Sequence, residues 1–345
     1  MNDKRVTIYD IAKELGISTA TVNRAMTGKN KVSEETRKKV FETAKRMGFR
    51  PNTLARSLAR KQIRLAVVAF TSFPEFHTPL IDGAKEAQRE LIDYNIQVDY
   101  FSFCQGASNT EQGAAFLNRT LDTVASNGYD GLLICAKQVD AFEKLKEKKI
   151  CVVTAVNDVE PAYRKFCIRY NGRVAGKMAA ELLYRLGDHK RPVAVATGSL
   201  DVTSIHFQIL EGFTEQLKTT PLQLVEAYRH HDDPSVAYEK TKAILRKYGN
   251  LGGIYVDSFN SLGVVQAVKE MGRAKDMCII TSDLYAELKT FILEGTVSAS
   301  IFQNQYEQGR QGLRYLYQTI AEDLRLPSEV ILPPQIILRS NLELF

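Results

Sequence analysis

Val6–Met26, VTIYDIAKELGISTATVNRAM, is the stretch whose reading decides the N-terminal fold. Thr7-Ile8-Tyr9-Asp10 opens like a capping box, a hydroxyl followed three residues later by an acid. Ile8, Ile11, Ala12 and Leu15 fall at i, i+3, i+4 and i+7, one face of a helix. Gly16-Ile17-Ser18 breaks that pattern, and Ser18 can cap a second short helix over 19–26 with Val22 and Ala25 or Met26 turned inward. Two short helices joined by a tight glycine-containing turn form a helix-turn-helix, and the start of its second helix enters the DNA major groove. Thr19 and Ala20 then face base edges, and Arg24, one turn on, can reach a guanine with two hydrogen bonds. Thr21 and Asn23 suit phosphates or an adjacent base.

The charge distribution agrees. The 345-residue chain carries a net charge of +6, but residues 1–64 hold 16 Lys and Arg against 6 Asp and Glu, while the rest holds 30 against 34. All the excess positive charge therefore lies in the first fifth of the chain, the electrostatic footprint of a nucleic-acid-binding module. A disordered basic tail would lack the helical periodicity seen here. Ser33-Glu34-Glu35 opens a third helix, a cap followed by two acids at the positive helix end; Val40, Ala44 and Met47 line its apolar face and Gly48 ends it. After Pro51, NTLARSLAR (52–60) reads as one more short basic helix with Leu54 and Leu58 on one side. Nine residues are marginal as an isolated helix, so it orders only against a partner or DNA.

On these three patterns, VTIYDIAKELGISTATVNRAM, SEETRKKV (33–40) and RPNTLARSLAR (50–60), the chain resembles the LacI family of transcription regulators. The resemblance implies that two hinge helices of a homodimer pack in the minor groove of operator DNA. It also implies that Leu58 wedges between base pairs and kinks the duplex, the action of an apolar intercalating side chain. A plain dimer-packing role for Leu58 is compatible with this. Thr7, Tyr9, Ser18, Thr19, Ala20, Thr21, Asn23 and Arg24, with Asn52, Ala55, Arg56 and Leu58 of the hinge, form the expected DNA-binding set. Asn23 departs from the family, which usually has Ser there.

From Arg64 onward short apolar runs alternate with helical patterns. LAVVAF (65–70), VDYFSF (98–103), GLLIC (131–135) and CVVTA (151–155) form one series; VAVAT (193–197), LVEAY (224–228), GGIYV (252–256) and CIITS (278–282) form a second. That alternation argues parallel doubly wound sheets, and about 280 residues suit two lobes around a cleft. The expected architecture is thus a small all-α helix-turn-helix domain over 1–50, a hinge helix and linker over 51–62, and an α/β two-lobed effector-binding and dimerisation domain over 63–345. The resemblance implies a type I periplasmic-binding-protein-like fold for the last. No apolar run approaches the ~20 residues of a membrane span. Met1–Arg5 is polar and leads straight into a helical pattern, which reads as no secretory leader. Five scattered cysteines without CxxC spacing read as reduced thiols, and the expected location is the cytoplasm.

No catalytic constellation stands out: GxSxG, P-loop, HExxH and Cys-His pairings are absent from the sequence. No enzyme activity, metal or cofactor is expected. His230-His231-Asp232-Asp233 has metal-ligand residue types, but before Pro234 an aspartate there reads as a helix cap. Ligand residues should sit in loops at the carboxyl ends of the strands. A sugar or polyol needs Asp, Asn or Gln for its hydroxyls and an aromatic face for its C–H side. The candidates are Phe76 and His77, Asn157 and Asp158, Asn171, His206 with Ser204 nearby, Asp257 and Asn260, Asp283, and Gln303. By resemblance, Phe76 matches the family's aromatic, and Asp283 and Gln303 match its sugar-sensing branch. Two positions depart from it: Ile209 stands where relatives often carry Arg, and Ser258 where Asp is usual. Loss of that Arg argues against an anionic ligand. The expected partners are therefore operator DNA, a neutral sugar or polyol effector, and a second copy of the chain. A sugar-binding protein of the same fold, an enzyme of the doubly wound class, and a regulator acting as activator or corepressor-dependent repressor are the alternatives.

Overall fold

The computed structural model describes residues 6–27, 32–47, 49, 61–70, 74–103, 111–135, 142–199 and 205–345. Asn52, Ala55, Arg56, Leu58 and Ser204 lie outside these described residues. The chain divides into two compact units, one within Met1–Lys61 and one made of Gln62–Ile92 and Ile96–Phe345.

The first unit holds α1 (Ile8–Leu15), α2 (Thr19–Thr27) and α3 (Glu34–Arg46). The Thr7 backbone N–H donates to the Asp10 carboxylate at 2.7 Å, and Gly16, at φ 64°, ends α1 in the left-handed conformation that glycine adopts freely. Ser18 accepts from the Thr21 N–H at 3.1 Å, and Ser33 caps α3 by accepting from the Thr36 N–H at 3.2 Å. Ile11, Ala12, Val22, Ala25, Val40 and Ala44 form the core between the three helices. Each helix is too short to persist alone, so this shared core is what holds them.

The second unit has two sheets. The first contains β1 (Ile63–Phe70), β2 (Ile96–Phe103), β3 (Gly131–Cys135), β4 (Cys151–Ala155), β5 (Phe166–Tyr170) and β11 (Glu329–Leu332), in the order β2-β1-β3-β4-β5-β11. The second contains β6 (Val193–Thr197), β7 (Leu224–Arg229), β8 (Gly253–Val256), β9 (Cys278–Ser282), β10 (Ala299–Phe302) and β12 (Gln335–Ile337), in the order β7-β6-β8-β9-β10-β12. All pairings are parallel except β10 with β12. Helices connect the strands: α4 (Pro74–Glu90), α5 (Glu111–Ser126), α6 (Phe142–Glu147), α7 (Gly172–Leu186), α8 (Ile205–Leu217), α9 (Pro234–Lys247), α10 (Leu262–Glu270), α11 (Ala286–Leu293) and α12 (Gln305–Glu322). Strands β3, β6, β8 and β9 are buried along their whole length. Covered on both faces, they read in sequence as unbroken apolar runs. No helix among the described residues is long and apolar enough to cross a membrane.

The chain passes from the first sheet to the second after β5, returns after β10, and passes again between β11 and β12. The two helices that follow the first two passages make the same kind of contact. In the second lobe α7 packs on α8, and in the first α12 packs on α4. A Cβ at Gly176 would lie 1.9 Å from the Ile209 carbonyl oxygen, and one at Gly212 1.9 Å from that of Arg173. A Cβ at Gly83 would lie 1.8 Å from the Tyr306 oxygen, and one at Gly309 1.9 Å from that of Leu80. Each pair of helices therefore touches backbone to backbone, with one glycine on either side.

Gly212→Ala and Gly309→Ala should each destabilise the second unit by about 1–3 kcal/mol, because a methyl group must push two packed helices apart. Gly249→Ala is the control, since nothing lies within 4 Å of a Cβ there. Urea unfolding of the three variants checks this; equal midpoints would refute the close-contact account.

Candidate functional site

In the first unit Thr7, Tyr9, Ser18, Ala20, Asn23 and Arg24 are exposed, and Thr19 and Thr21 are half-buried. Tyr9 is 71% exposed, more than a large aromatic gains by accident in a three-helix core. The Arg24 Nε donates to the Ala20 carbonyl at 3.1 Å, so the guanidinium lies back along its own helix and can swing outward. Three of the candidates are also structural: the Thr7 hydroxyl donates to Asp10 at 2.7 Å and the Ser18 and Thr21 hydroxyls pair at 2.8 Å.

In the second unit a row of residues directly follows the strands of the second sheet: Gly198 after β6, His230 after β7, Asp257 after β8, Asp283 after β9 and Gln303 after β10. Because β6 to β10 are parallel, all five stand at one edge, the carboxyl edge where doubly wound folds bind ligands. Asp283 is buried, with φ 64°. Aspartate tolerates that left-handed backbone better than most residues. Its carboxyl accepts from Gln303 Nε2 at 2.7 Å and from Gln305 Nε2 at 3.0 Å. Both partners are neutral amides, and burial pushes the Asp283 pKa up to about 6. Because Gln303 gives its amide nitrogen to a carboxyl, its carbonyl Oε1 faces away and has no partner among the described residues. Asp257 accepts from the Gly198 N–H at 3.2 Å and bonds His206 Nδ1 at 2.9 Å, both through Oδ1. Its Oδ2 is buried and has no partner among the described residues. Gly198 is required here: a Cβ would stand 2.5 Å from Asp232 Oδ1 and 3.0 Å from the His206 ring.

Other candidates are placed differently. Asp158 is held by Arg164, whose Nε donates at 2.6 Å, and by the Thr154 hydroxyl at 3.0 Å. Burial raises its pKa, but the hydrogen bonds and charge of Arg164 outweigh this and hold it below the usual carboxyl range. Asn171 caps α7, accepting from the Val174 N–H at 3.0 Å. Asn260 donates to the Asp232 carbonyl at 3.3 Å, and the Asn157 N–H turns back to Ala155 at 2.7 Å. His77 is buried on α4. Phe76 meets Phe259, two residues beyond Asp257, edge to face at 5.4 Å, so it reaches from the first lobe to the second. Asp233 caps α9, accepting from the Ser235 and Val236 N–H groups at 2.8 and 3.0 Å. No group of His, Cys, Asp or Glu among the described residues is arranged to hold a metal. His230 bonds Ser258 at 3.2 Å instead, and burial lowers its pKa.

The sequence reading did not include Gln305 and Gln308, though QNQYEQ (303–308) carries three glutamines at one strand-to-helix junction. Gln308 is fully buried; it donates to the Gln303 carbonyl at 2.9 Å and accepts from the Val156 N–H at 3.1 Å. It thus ties the end of β10 to the end of β4, one lobe to the other.

A three-helix unit with a helix-turn-helix, joined in one chain to a two-lobed α/β body with polar strand ends, defines a DNA-binding regulator with a sensor body. Comparison with known proteins agrees on both parts. The model of the periplasmic binding protein domain matches residues 65–323, and that of the bacterial regulatory proteins of the lacI family matches residues 7–52. The chain belongs to the LacI family of bacterial transcription regulators, with a periplasmic-binding-protein-like effector domain; these are regulators, not enzymes. It is 27% identical over 344 residues to catabolite control protein A of Priestia megaterium, covering 97% of this chain and 99% of that protein. It is 24% identical over 345 residues to the HTH-type transcriptional regulator pepR1 of Lactobacillus delbrueckii subsp. lactis, covering 99% of both. Among solved structures, GanP, a glucose-galactose binding protein from Geobacillus stearothermophilus, shares the fold with a TM-score of 0.71 at 21% identity, over 82% of this chain and 99% of that one. AraP, an arabinose binding protein from the same organism, gives 0.72 at 20%, over 83% and 99%.

The buried Asp283 has a stability consequence. Between the ordinary carboxyl value of 3.8 and about 6 the folded chain keeps a proton that the unfolded chain has released. The folded state binds more protons in that window, so stability falls as pH rises through it, by about 3 kcal/mol in all. Asp283→Asn, which also tolerates the left-handed backbone, should raise the Tm of the unliganded protein above pH 6, and the gap to wild type should close toward pH 4. A gap that is constant with pH would show that Asp283 carries no such cost.

Proposed function

We propose that this regulator grips operator DNA as a homodimer in the cytoplasm and alters that grip when a small sugar or polyol is enclosed at the carboxyl ends of β6 and β8 to β10. The DNA-reading part is residues 1–50, the hinge 51–62, and the sensing and dimerising body 63–345. The carrying observation is the two buried acceptors without partners among the described residues, Asp257 Oδ2 after β8 and Gln303 Oε1 after β10, on either side of Asp283 in the row of strand ends. A buried acceptor without a partner costs about 1–3 kcal/mol, and a ligand hydroxyl that donates to it recovers that cost on binding. Asp283 and Gln305 hold the Gln303 amide in the orientation this needs. Phe76 and Phe259 offer the apolar surface against which a sugar lays its C–H face. The sugar-binding names of the solved relatives GanP and AraP support the same class of ligand. The sequence by itself leaves that ligand neutral.

On the DNA side, the exposed α2 residues Ala20, Asn23 and Arg24 read the major groove, with Thr19 beside them and Thr7, Tyr9, Ser18 and Thr21 toward the phosphates. Asn52, Ala55, Arg56 and Leu58 act in the minor groove as the hinge. Arg24→Ala should cost about 1–3 kcal/mol on the cognate operator and relax preference at one base pair per half-site. Affinity should fall steeply with salt, since phosphate contacts release counterions. Fluorescence anisotropy with cognate and scrambled duplexes checks both; equal weakening on every sequence would make Arg24 a backbone contact.

Calorimetry against a panel of sugars and polyols tests the sensor. One member should bind, and both Gln303→Ala and Asp283→Ala should weaken it by at least about tenfold, a loss of about 1.4 kcal/mol. Binding by anionic ligands alone, or unchanged affinity in both variants, would refute the site.

A further inference from the structure

The groups at the second lobe's strand ends are unbalanced in one direction. Asp257 and Asp283 are both buried, and among the described residues neither carboxyl lies within 4.0 Å of a lysine or arginine; the sole ion-pair partner is His206, on Asp257. Ile209, fully buried, occupies the helix turn after His206 and brings no charge. The hydrogen bonds that run between the site's own groups consume donors. The Gly198 N–H and His206 Nδ1 are spent on Asp257, and one N–H each of Gln303 and Gln305 on Asp283. Among the described residues, two buried atoms left over here can only accept, Asp257 Oδ2, at 3% residue exposure, and Gln303 Oε1, at 7%; His230 Nδ1 is also left over.

Resting on the sugar or polyol reading, we propose that the effector carries a protonated amine among its hydroxyls, an amino sugar or amino polyol whose ammonium docks on Asp257 Oδ2. An ammonium brings three donors, no acceptor and one positive charge. A hydroxyl brings one donor and no charge. A cation also offsets two buried carboxyls that have no guanidinium or ammonium within 4.0 Å among the described residues, and charge-assisted bonds are about twice as strong as neutral ones. Gln303 Oε1, beyond β9, then receives a hydroxyl of the same ligand.

The test uses the full-length chain and paired probes that differ only in the amine: glucosamine against glucose, galactosamine against galactose, mannosamine against mannose, and glucamine against glucitol. Thermal shift and calorimetry are run in a buffer that keeps the amines protonated. In at least one pair the amine should bind about tenfold tighter than its neutral partner or more, about 1.4 kcal/mol. Asp257→Asn, which keeps an acceptor for Gly198 and His206 but places a donor where Oδ2 stood, should bring that pair to within about twofold. Neutral members binding as tightly as their amines, or alone, would overturn the proposal and leave the neutral-sugar reading standing. An amine preference that survives in Asp257→Asn would overturn the assignment to Asp257. Binding by no probe of either kind would overturn both the proposal and the sugar or polyol reading. Where Asp257→Asn fails to fold by circular dichroism, the wild-type pairs decide alone.

Discussion

Burial of the Asp283 carboxyl among neutral amides is the constraint on which the effector domain's site depends. A carboxyl out of water with amide partners only is a costly arrangement, and this one adds a left-handed backbone at φ 64°. The surroundings fix it from every side. The Asp283 N–H donates to the Ile301 carbonyl at 2.8 Å, and the Ser300 hydroxyl donates to the Asp283 carbonyl. The two glutamines close on its side chain. The cost orients Gln303: a carboxylate can only accept, so the amide has one allowed orientation and its oxygen is turned outward. An uncharged amide pair at the same place would leave that orientation undetermined.

The same junction joins the two lobes. Gln303 lies between β10 and α12, and its carbonyl accepts from Gln308, whose other end accepts from Val156. Val156 sits at φ 65°, a conformation a β-branched residue enters only when its neighbours over-determine it. Its N–H is also directed at the Ile168 carbonyl at 3.1 Å, so the first lobe contributes its own hold. The next residue of α12, Gly309, meets the backbone of α4. The glutamine with the unpartnered oxygen, the interlobe hydrogen bond and the close helix contact thus fall within seven consecutive residues, 303–309.

Much of this was legible in the sequence, for identifiable reasons. The helix-turn-helix shows because each short helix carries its own cap and its own apolar stripe, so Thr7, Gly16, Ser18 and Ser33 mark the boundaries before any tertiary contact is known. Strands β3, β4, β6 and β9 coincide with the apolar runs, since a strand buried on both faces has no polar positions to blur it. β5, β11 and β12 were outside those runs. β11 and β12 are edge strands of four and three residues with exposed positions, and their pairing depends on partners more than 160 and about 35 residues away. In the site, strand-end position points to Asp283, Gln303, Asp257 and His206, with family resemblance adding to the first two, and the structure brings them to one edge. Asp158 and Asn171 obey the same rule, yet one is occupied by Arg164 and the other by a helix N-terminus. Nothing local distinguishes these cases, because the difference lies in which distant donor has already taken the oxygen.

That distinction also governs how a ligand could act on DNA binding. A ligand shifts an equilibrium between lobe arrangements only by its differential affinity for them. Partners made within one lobe, such as Arg164 for Asp158, exist in every arrangement and contribute nothing to the difference. The groups that contribute are those left unsatisfied by their own lobe, Asp257 Oδ2 and Gln303 Oε1, and those that reach across, Phe76 to Phe259 and Gln308 to Val156. A ligand that satisfies the first pair while bearing on the second converts local hydrogen bonding into a preference for one interlobe geometry. Among the described residues the body's first strand is β1 and the next element is α4, which carries Phe76, so any such preference bears on the first elements of the body.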